Sequence, residues 1–218
     1  MIDADSLNGH SASDFAPAGY GLGMERATTL TTQAQVDALR AFGVHEYYGS
    51  ESACEGIPNI TQGSILTIPT MYGVTQFFFV RYLGGVIGGC YLKRMSYVEV
   101  TSGWNPWEWV NPPMVPDVEY RTTERYNGKP VYVKLIDFGT LPNTSYKNVL
   151  FYSNDTSRPI SVVGQCGTDY NSLNMSIPSS SNGVDIFAVN YSQIRAITTH
   201  DASGQYARVL VKYWKTTD

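Results

Sequence analysis

Three short strings in the sequence spell fragments of catalytic machinery. Asp137-Phe138-Gly139 matches the magnesium-binding triplet of protein kinases, in which the Asp carboxylate holds the metal against nucleotide phosphates. That chemistry also needs a glycine-rich nucleotide loop and an H-R-D loop; neither is present, and 218 residues are too few for that fold. Gly9-His10-Ser11-Ala12-Ser13 approaches the G-x-S-x-G nucleophile elbow, but the last Gly is missing and no strand signal precedes it. Gly19-Tyr20-Gly21-Leu22-Gly23 and the glycine-rich run 84–89 lack the Lys and the strand-to-helix context of a phosphate loop, so they read as turns. A glycosidase needs two carboxylates roughly 5 to 9.5 Å apart. No local spacing among the 19 Asp and Glu nominates such a pair. His10, His45 and His200 are scattered without metal-ligand spacing. The oxygen-rich stretch 167–171 lacks the regular loop of a calcium-binding hand. The expectation is a protein without metal or cofactor that is not an enzyme.

The remaining chemistry suits non-covalent recognition. Trp104-Asn105-Pro106-Trp107-Glu108-Trp109 concentrates aromatic surface. Trp107 and Trp109, two apart, share one face of a strand and read as core; Trp104 sits at the preceding turn and is a candidate platform for the C–H face of a sugar. Four loops place planar hydrogen-bonding groups or an aromatic face among turn residues. They carry Tyr152, Asn154, Asp155 and Arg158; Asp169, Tyr170 and Asn171; the stretch 179–182; and His200 with Asp201. Such loops on a rigid scaffold are where binding specificity is usually written.

Composition indicates the scaffold. Charged residues make up 16% and hydrophobic ones 43%, with 20 Gly and 16 Tyr. Low charge with many hydroxyl and aromatic residues favours strands and turns over helices, whose outer faces are usually rich in Glu, Lys and Arg. A net charge of −4 without any Lys/Arg block excludes the footprint of a nucleic-acid binder and of a polybasic membrane patch. The most apolar stretch, 74–83, contains Gln76 and Arg81 and is too short to span a bilayer. The first residues do not have the pattern of a secretory signal. Cys54, Cys90 and Cys166 are far apart and odd in number, which reads as three reduced, buried thiols. The five N-x-S/T triplets, from Asn59 to Asn190, read as unglycosylated.

The pattern along the chain divides it in three. Residues 1–24 mix isolated Leu7 and Phe15 with turn residues, as in a linker or extended arm. Residues 25–115 open with a helix over 33–42, capped by Thr32 with Gln35 in the capping-box position and stopped by Gly43. Strands follow at 45–48, 64–68, 75–83, 90–100 and 108–110. Pro112, Pro113 and Pro116 mark the next boundary. Residues 116–218 then begin with a hairpin, 119–126 and 129–135, around Asn127-Gly128. Further strands are expected at 147–152, 160–164, 185–189, 195–199 and 205–215. The last alternates Ala207, Val209, Val211 and Tyr213 against Arg208, Leu210 and Lys212. The predicted fold is mainly β: a small α+β domain, then a β-sandwich.

Three segments carry a resemblance. Residues 32–110, with Gln35-Val36-Asp37-Ala38-Leu39, Phe42-Gly43-Val44-His45-Glu46-Tyr47, Tyr91-Leu92-Lys93-Arg94 and the Gly103-Trp104-x-x-Trp107 ending, resemble the pyocin-knob-like domain of phage tail fibres and phage-derived bacteriocins. Leu7-x-Gly9-x-x-Ala12-x-x-Phe15 is similar to a segment of tail-fibre shafts. Tyr126-Asn127-Gly128-Lys129-Pro130-Val131-Tyr132, with 137–143, resembles the distal head of fibres from prophages of Gram-positive bacteria. The resemblance implies a homotrimer ordered as shaft, knob and head, located in the virion tail. It implies binding to bacterial cell-surface polysaccharide or another receptor, with upstream tail or baseplate proteins as further partners. The alternatives are a fibre or baseplate component without glycan binding, and a polysaccharide depolymerase.

Overall fold

The computed structural model describes residues 6–7, 10–11, 29–83, 86–87, 89–97, 103–151, 157–168, 175–177 and 183–217. The chain forms two compact units, Met1–Val110 and Asn111–Asp218. It is mainly β, as the composition indicated, with one short helix among the described residues.

In the first unit, β1 (Ser6–Leu7) and β2 (His10–Ser11) pair antiparallel, Leu7 opposite His10. His10 and Ser11 of the near-elbow string therefore lie in a strand pair. The main sheet is built from β3 (Thr29–Leu30), β4 (Gly43–Tyr48), β5 (Ile60–Thr70), β6 (Gly73–Leu83), β7 (Val86–Ile87), β8 (Tyr91–Tyr97) and β9 (Glu108–Trp109). Their spatial order is β3-β4-β5-β6-β8-β9, with β7 folded back onto β6. The single helix, α1 (Gln33–Ala38), packs Val36 into the core. Thr32 and Gln35 form the expected capping box. The helix ends four residues earlier than its periodicity predicts, because Leu39 is already extended at φ −68, ψ 117. Side chains from elsewhere take its last carbonyls: Gln76 Nε2 donates to Val36 O at 3.0 Å and Trp104 Nε1 to Asp37 O at 3.0 Å. The core beside it holds Tyr47, Ile65, Phe78, Leu92, Trp107 and Trp109, with Phe78 edge-on to Tyr47 and Trp107 at 6.1 and 6.3 Å. Cys54 and Cys166 are buried as expected, but Cys90 is only half-buried; all three are free thiols. Burial pushes the Cys54 thiol well above its ordinary value.

The second unit contains β10 (Glu119–Tyr126), β11 (Lys129–Thr140), β12 (Tyr146–Leu150), β13 (Ser157–Gly167), β14 (Met175–Ile177), β15 (Val184–Ala188), β16 (Gln193–Thr198) and β17 (Tyr206–Lys215). Strands β14-β13-β17-β11-β10 form one antiparallel sheet and β12-β16-β15 another. Asn127 and Gly128 both have positive φ, 50 and 78, as a tight hairpin turn requires. The alternation in β17 places Ala207, Val209, Val211 and Tyr213 in the core. Ile136 and Phe138 join them from β11, and Val184, Ile186, Ile194 and Ala196 face them from the second sheet. Two sheets closing over one core make the expected sandwich. Asp137-Phe138-Gly139 sits inside β11 at a bulge: Phe138 is core, Gly139 takes φ 71, and Asp137 Oδ1 accepts from Gly139 N at 3.2 Å.

Candidate functional site

Alternation in β12, β15 and β16 buries Ile194, Ala196, Val184 and Ile186 on one face and turns the other outward. The register aligns the outward residues in rows. Tyr146, Ile197 and Asp185 lie across the three strands, and Asn148, Arg195 and Phe187 lie next to them. This face is unusually aromatic for a solvent-facing one: Tyr146 is 60% exposed and Phe187 40%. Arg195 ties the rows together. Its Nε donates to Asn148 Oδ1 at 2.8 Å, and its guanidinium carbon stands 4.4 Å from the Tyr146 ring centroid. Stacking and this bond together hold the guanidinium in place. Flat aromatic surface, a fixed guanidinium, an amide and the Asp185 carboxylate on a sheet backed by a packed core constitute a preorganised polar platform.

A third aromatic stands at one end of this sheet. In the hairpin between β15 and β16, Asn190 Oδ1 accepts from Ser192 N at 2.9 Å and Gln193 N at 2.8 Å, which fixes the loop. Tyr191 projects from it, half-exposed, with Arg158 stacked at 3.8 Å. Ser157, buried on β13, donates its hydroxyl to Tyr191 O, and Arg158 Nη1 donates to Ser157 O at 2.8 Å. His200 and Asp201 stand at the opposite end. His200 O accepts from Thr144 N at 3.0 Å, and Asp201 bridges to Asn143. Asp201 Oδ1 accepts from Ser203 Oγ at 2.7 Å and Ser203 N at 3.0 Å, and these bonds hold its carboxyl below the ordinary value. The two ends are separated by the length of β16, roughly 20 Å for six extended residues. Arg158 and the His200–Asp201 pair are therefore not one cluster.

Trp104 lies in the first unit and is half-buried. The guanidinium carbons of Arg40 and Arg94 stand 4.3 and 4.1 Å from its ring centroid, and its Nε1 is spent on the helix end. The ring thus serves as a bearing for two cations. The candidates Tyr152, Asn154, Asp155, Asp169, Tyr170 and Asn171, and the stretch 179–182, lie outside the described residues. Sequence reasoning missed Tyr146, Asn148, Phe187, Tyr191 and Arg195. For all but Tyr191, which lies in the hairpin, the signal was the outward phase of the alternation in 146–150, 184–188 and 193–198, where aromatics and an arginine occupy solvent positions.

No family model matches this sequence, and no curated protein matches it. Among solved structures the chain is similar to an N-truncated R2-type pyocin tail fibre, at 8% identity over 87% of this chain and 95% of that one, with a TM-score of 0.29. It is similar also to C-terminal pieces of two P. aeruginosa fibres. For the R2 pyocin fibre the identity is 8%, covering 87% of this chain and 66% of that one, with a TM-score of 0.29. For the R1 pyocin fibre it is 10%, covering 86% and 65%, with a TM-score of 0.23. At such identities and TM-scores the likeness carries no argument about this chain. Among the described residues no helix is long and apolar enough to cross a membrane.

Proposed function

We propose that this chain is the receptor-binding part of a phage or phage-derived tail fibre, attaching the particle to a bacterial surface by non-covalent contact with glycan and without catalysis. In this reading it works as a homotrimer in the virion tail, joined to upstream tail or baseplate proteins. The single observation that carries the reading is the outward face of β12-β16-β15. Tyr146 and Phe187 offer faces to the apolar side of a sugar, while Arg195, Asn148 and Asp185 offer donors and acceptors to its hydroxyls. The knob-like and head-like sequence segments favour the same reading. A shallow face of this kind binds weakly per site, since hydroxyls must be desolvated and freedom of motion lost. Several copies on one particle convert that weakness into firm attachment through effective concentration.

The test is binding of the fluorescently labelled full chain to a panel of bacterial strains and their purified wall and capsule polysaccharides. For a strain that is bound, Tyr146→Ala and Arg195→Ala are each expected to weaken attachment about tenfold per site, the effect of roughly 1.4 kcal/mol. Release of new reducing ends would instead favour a depolymerase. Unchanged binding in both variants would remove this face as the contact, and absence of binding across the panel would leave a structural fibre component.

A further inference from the structure

Arg195 lies on the central strand of β12-β16-β15, between Asn148 on one neighbour and Phe187 on the other. In the next outward row, Ile197 lies between Tyr146 and Asp185. Within these two rows Arg195 is the one base and Asp185 the one acid.

The guanidinium is held but not neutralised. Its Nε donates to the uncharged amide of Asn148 at 2.8 Å, and the Tyr146 ring centroid stands 4.4 Å away. Asp185 is one strand over and two positions along, a diagonal relation that sets the two about 7–8 Å apart. Among the described residues the two do not come within ion-pair distance. Other bases of the second unit are spent inside it. Lys212 meets Glu124 at 2.7 Å and Lys215 meets Glu119 at 2.5 Å. Lys134 and Lys147 donate to the backbone carbonyls of Phe151 and Phe138. Arg195 thus differs from these in being fixed by neutral groups only.

That arrangement defines a ligand chemistry. With Nε taken, the guanidinium keeps the fork of its two terminal nitrogens, which matches the paired oxygens of a carboxylate or a phosphodiester. The side chain is half-buried beside an aromatic ring, so its charge acts through a lower effective dielectric than that of a fully solvated base. Asp185 restricts the choice further. A second anion next to the first would meet like charge there, whereas a sugar hydroxyl would meet an acceptor. The face suits acidic residues set singly among neutral sugars better than a chain charged at every unit.

We propose that Arg195 selects an acidic glycan, taking a carboxylate or phosphodiester end-on while an adjoining sugar ring lies on Tyr146 or Phe187. The inference rests on the proposed glycan-binding role of this face and adds the class of glycan.

The experiment uses wall or capsule polysaccharide from a strain that the full chain binds, in three forms: untreated, carboxyl-reduced and dephosphorylated. Binding to each is measured by interferometry for the unmodified chain, Arg195→Gln, Asp185→Asn and Tyr146→Ala. Far-UV circular dichroism and the urea midpoint confirm that each variant is folded. One of the two treatments should weaken the unmodified chain about tenfold, and which one it is separates carboxylate from phosphate. The same treatment should change Arg195→Gln less than about twofold, because the partner of the lost charge is already gone. Added salt should weaken the unmodified chain and leave Arg195→Gln nearly unchanged. Asp185→Asn should bind the untreated form at least as tightly as the unmodified chain. Equal losses on treatment in the unmodified chain and in Arg195→Gln would place the acidic contact elsewhere and overturn the inference. No loss with either treatment, while Tyr146→Ala and Arg195→Gln both weaken attachment, would mean a neutral glycan; the inference falls and the face stands. Unchanged binding in both variants, or no strain bound, overturns the inference and the reading of the face together.

Discussion

Arg94 is the residue on which the first unit's polar interactions converge. Its guanidinium is nearly inaccessible, and it donates to Gln76 Oε1 at 2.9 Å and to Asp37 Oδ1 at 2.6 Å. It also lies between the rings of Trp104 and Trp107, at 4.1 and 4.4 Å. Burial lowers its pKa, and the Asp37 bond opposes that shift. Arg94→Met keeps much of the stem volume but strips partners from Gln76 and Asp37. Removing one member of a fully buried pair costs about 3–5 kcal/mol. Because the Asp37 carboxylate is partly solvated, about 2 kcal/mol is the expected loss here, read as a lower urea midpoint for the first unit by tryptophan fluorescence. Arg40→Ala, which removes an exposed cation from the Trp104 ring, is expected to cost only about 0.5–1 kcal/mol. The tryptophan cluster was legible in the sequence, but its partner was not. Arg94 and Trp107 meet only because β8 and β9 pair with Leu92 opposite Trp109, a fact of register rather than of motif. His45 gives a second prediction at this scale. Its Nδ1 is buried without a hydrogen-bond partner among the described residues, and burial lowers its pKa. The unfolded chain therefore takes up a proton first as the pH falls through about 6.5. Stability present at neutral pH is then lost with acidification. The urea midpoint of the first unit should drop between about pH 7.5 and 5.5, and His45→Gln should flatten that dependence. An equal drop in the variant would assign the effect to other groups.

At the scale of elements, two of the strands read short in the sequence share one cause. β5 was expected from residue 64 but begins at Ile60, and β11 was expected to end at 135 but runs to Thr140. Each contains a glycine that sequence logic treats as a break. Gly139 takes φ 71 inside a bulge that keeps β11 paired with β17 on both sides. Gly63 lies at a register shift of β5, where a Cβ would come within 2.4 Å of Phe78 Cε1 and of Phe79 O. A glycine needed for close approach looks, in one sequence, the same as a glycine that ends a strand. Gly63→Ala is therefore expected to destabilise the first unit by about 1–3 kcal/mol, the usual cost of overpacking, in equilibrium urea unfolding. Gly204→Ala, where an added Cβ meets nothing within 4 Å, should be tolerated. If both substitutions prove neutral, the close packing of Phe78 over β5 does not constrain this strand. The hairpin at Asn127-Gly128 and the alternation of β17 were read correctly because turn chemistry and two-residue periodicity act locally. The helix end was not, because the groups that stop it, Gln76 and Trp104, are far away in sequence.

At the scale of the molecule, the mainly β character was legible from composition, whereas the proposed recognition face was not. The sequence drew attention to loops, where polar and aromatic residues cluster visibly. The structure instead presents Tyr146, Arg195 and Phe187 on regular strands, separated by up to about fifty positions and united only by the register of β12, β16 and β15. Each unit has its own buried core, Phe78 and Leu92 in one, Phe138 and Tyr213 in the other. Residues 111–218 expressed alone are therefore expected to fold, with a β-type circular dichroism spectrum and a single cooperative urea transition reported by Trp214. Without the arm and the knob-like segment, this piece is expected to run as a monomer with the outward face of β12-β16-β15 intact. It should then retain single-site affinity while losing the gain of multivalency, about 10²–10⁴-fold in attachment to a bound strain. Fusing it to an unrelated three-stranded coiled coil should restore most of that loss, because effective concentration depends on geometry rather than on the identity of the joining element. Attachment by the isolated piece as firm as that of the full chain would mean that one face suffices, and the case for assembly as part of the binding mechanism would fall.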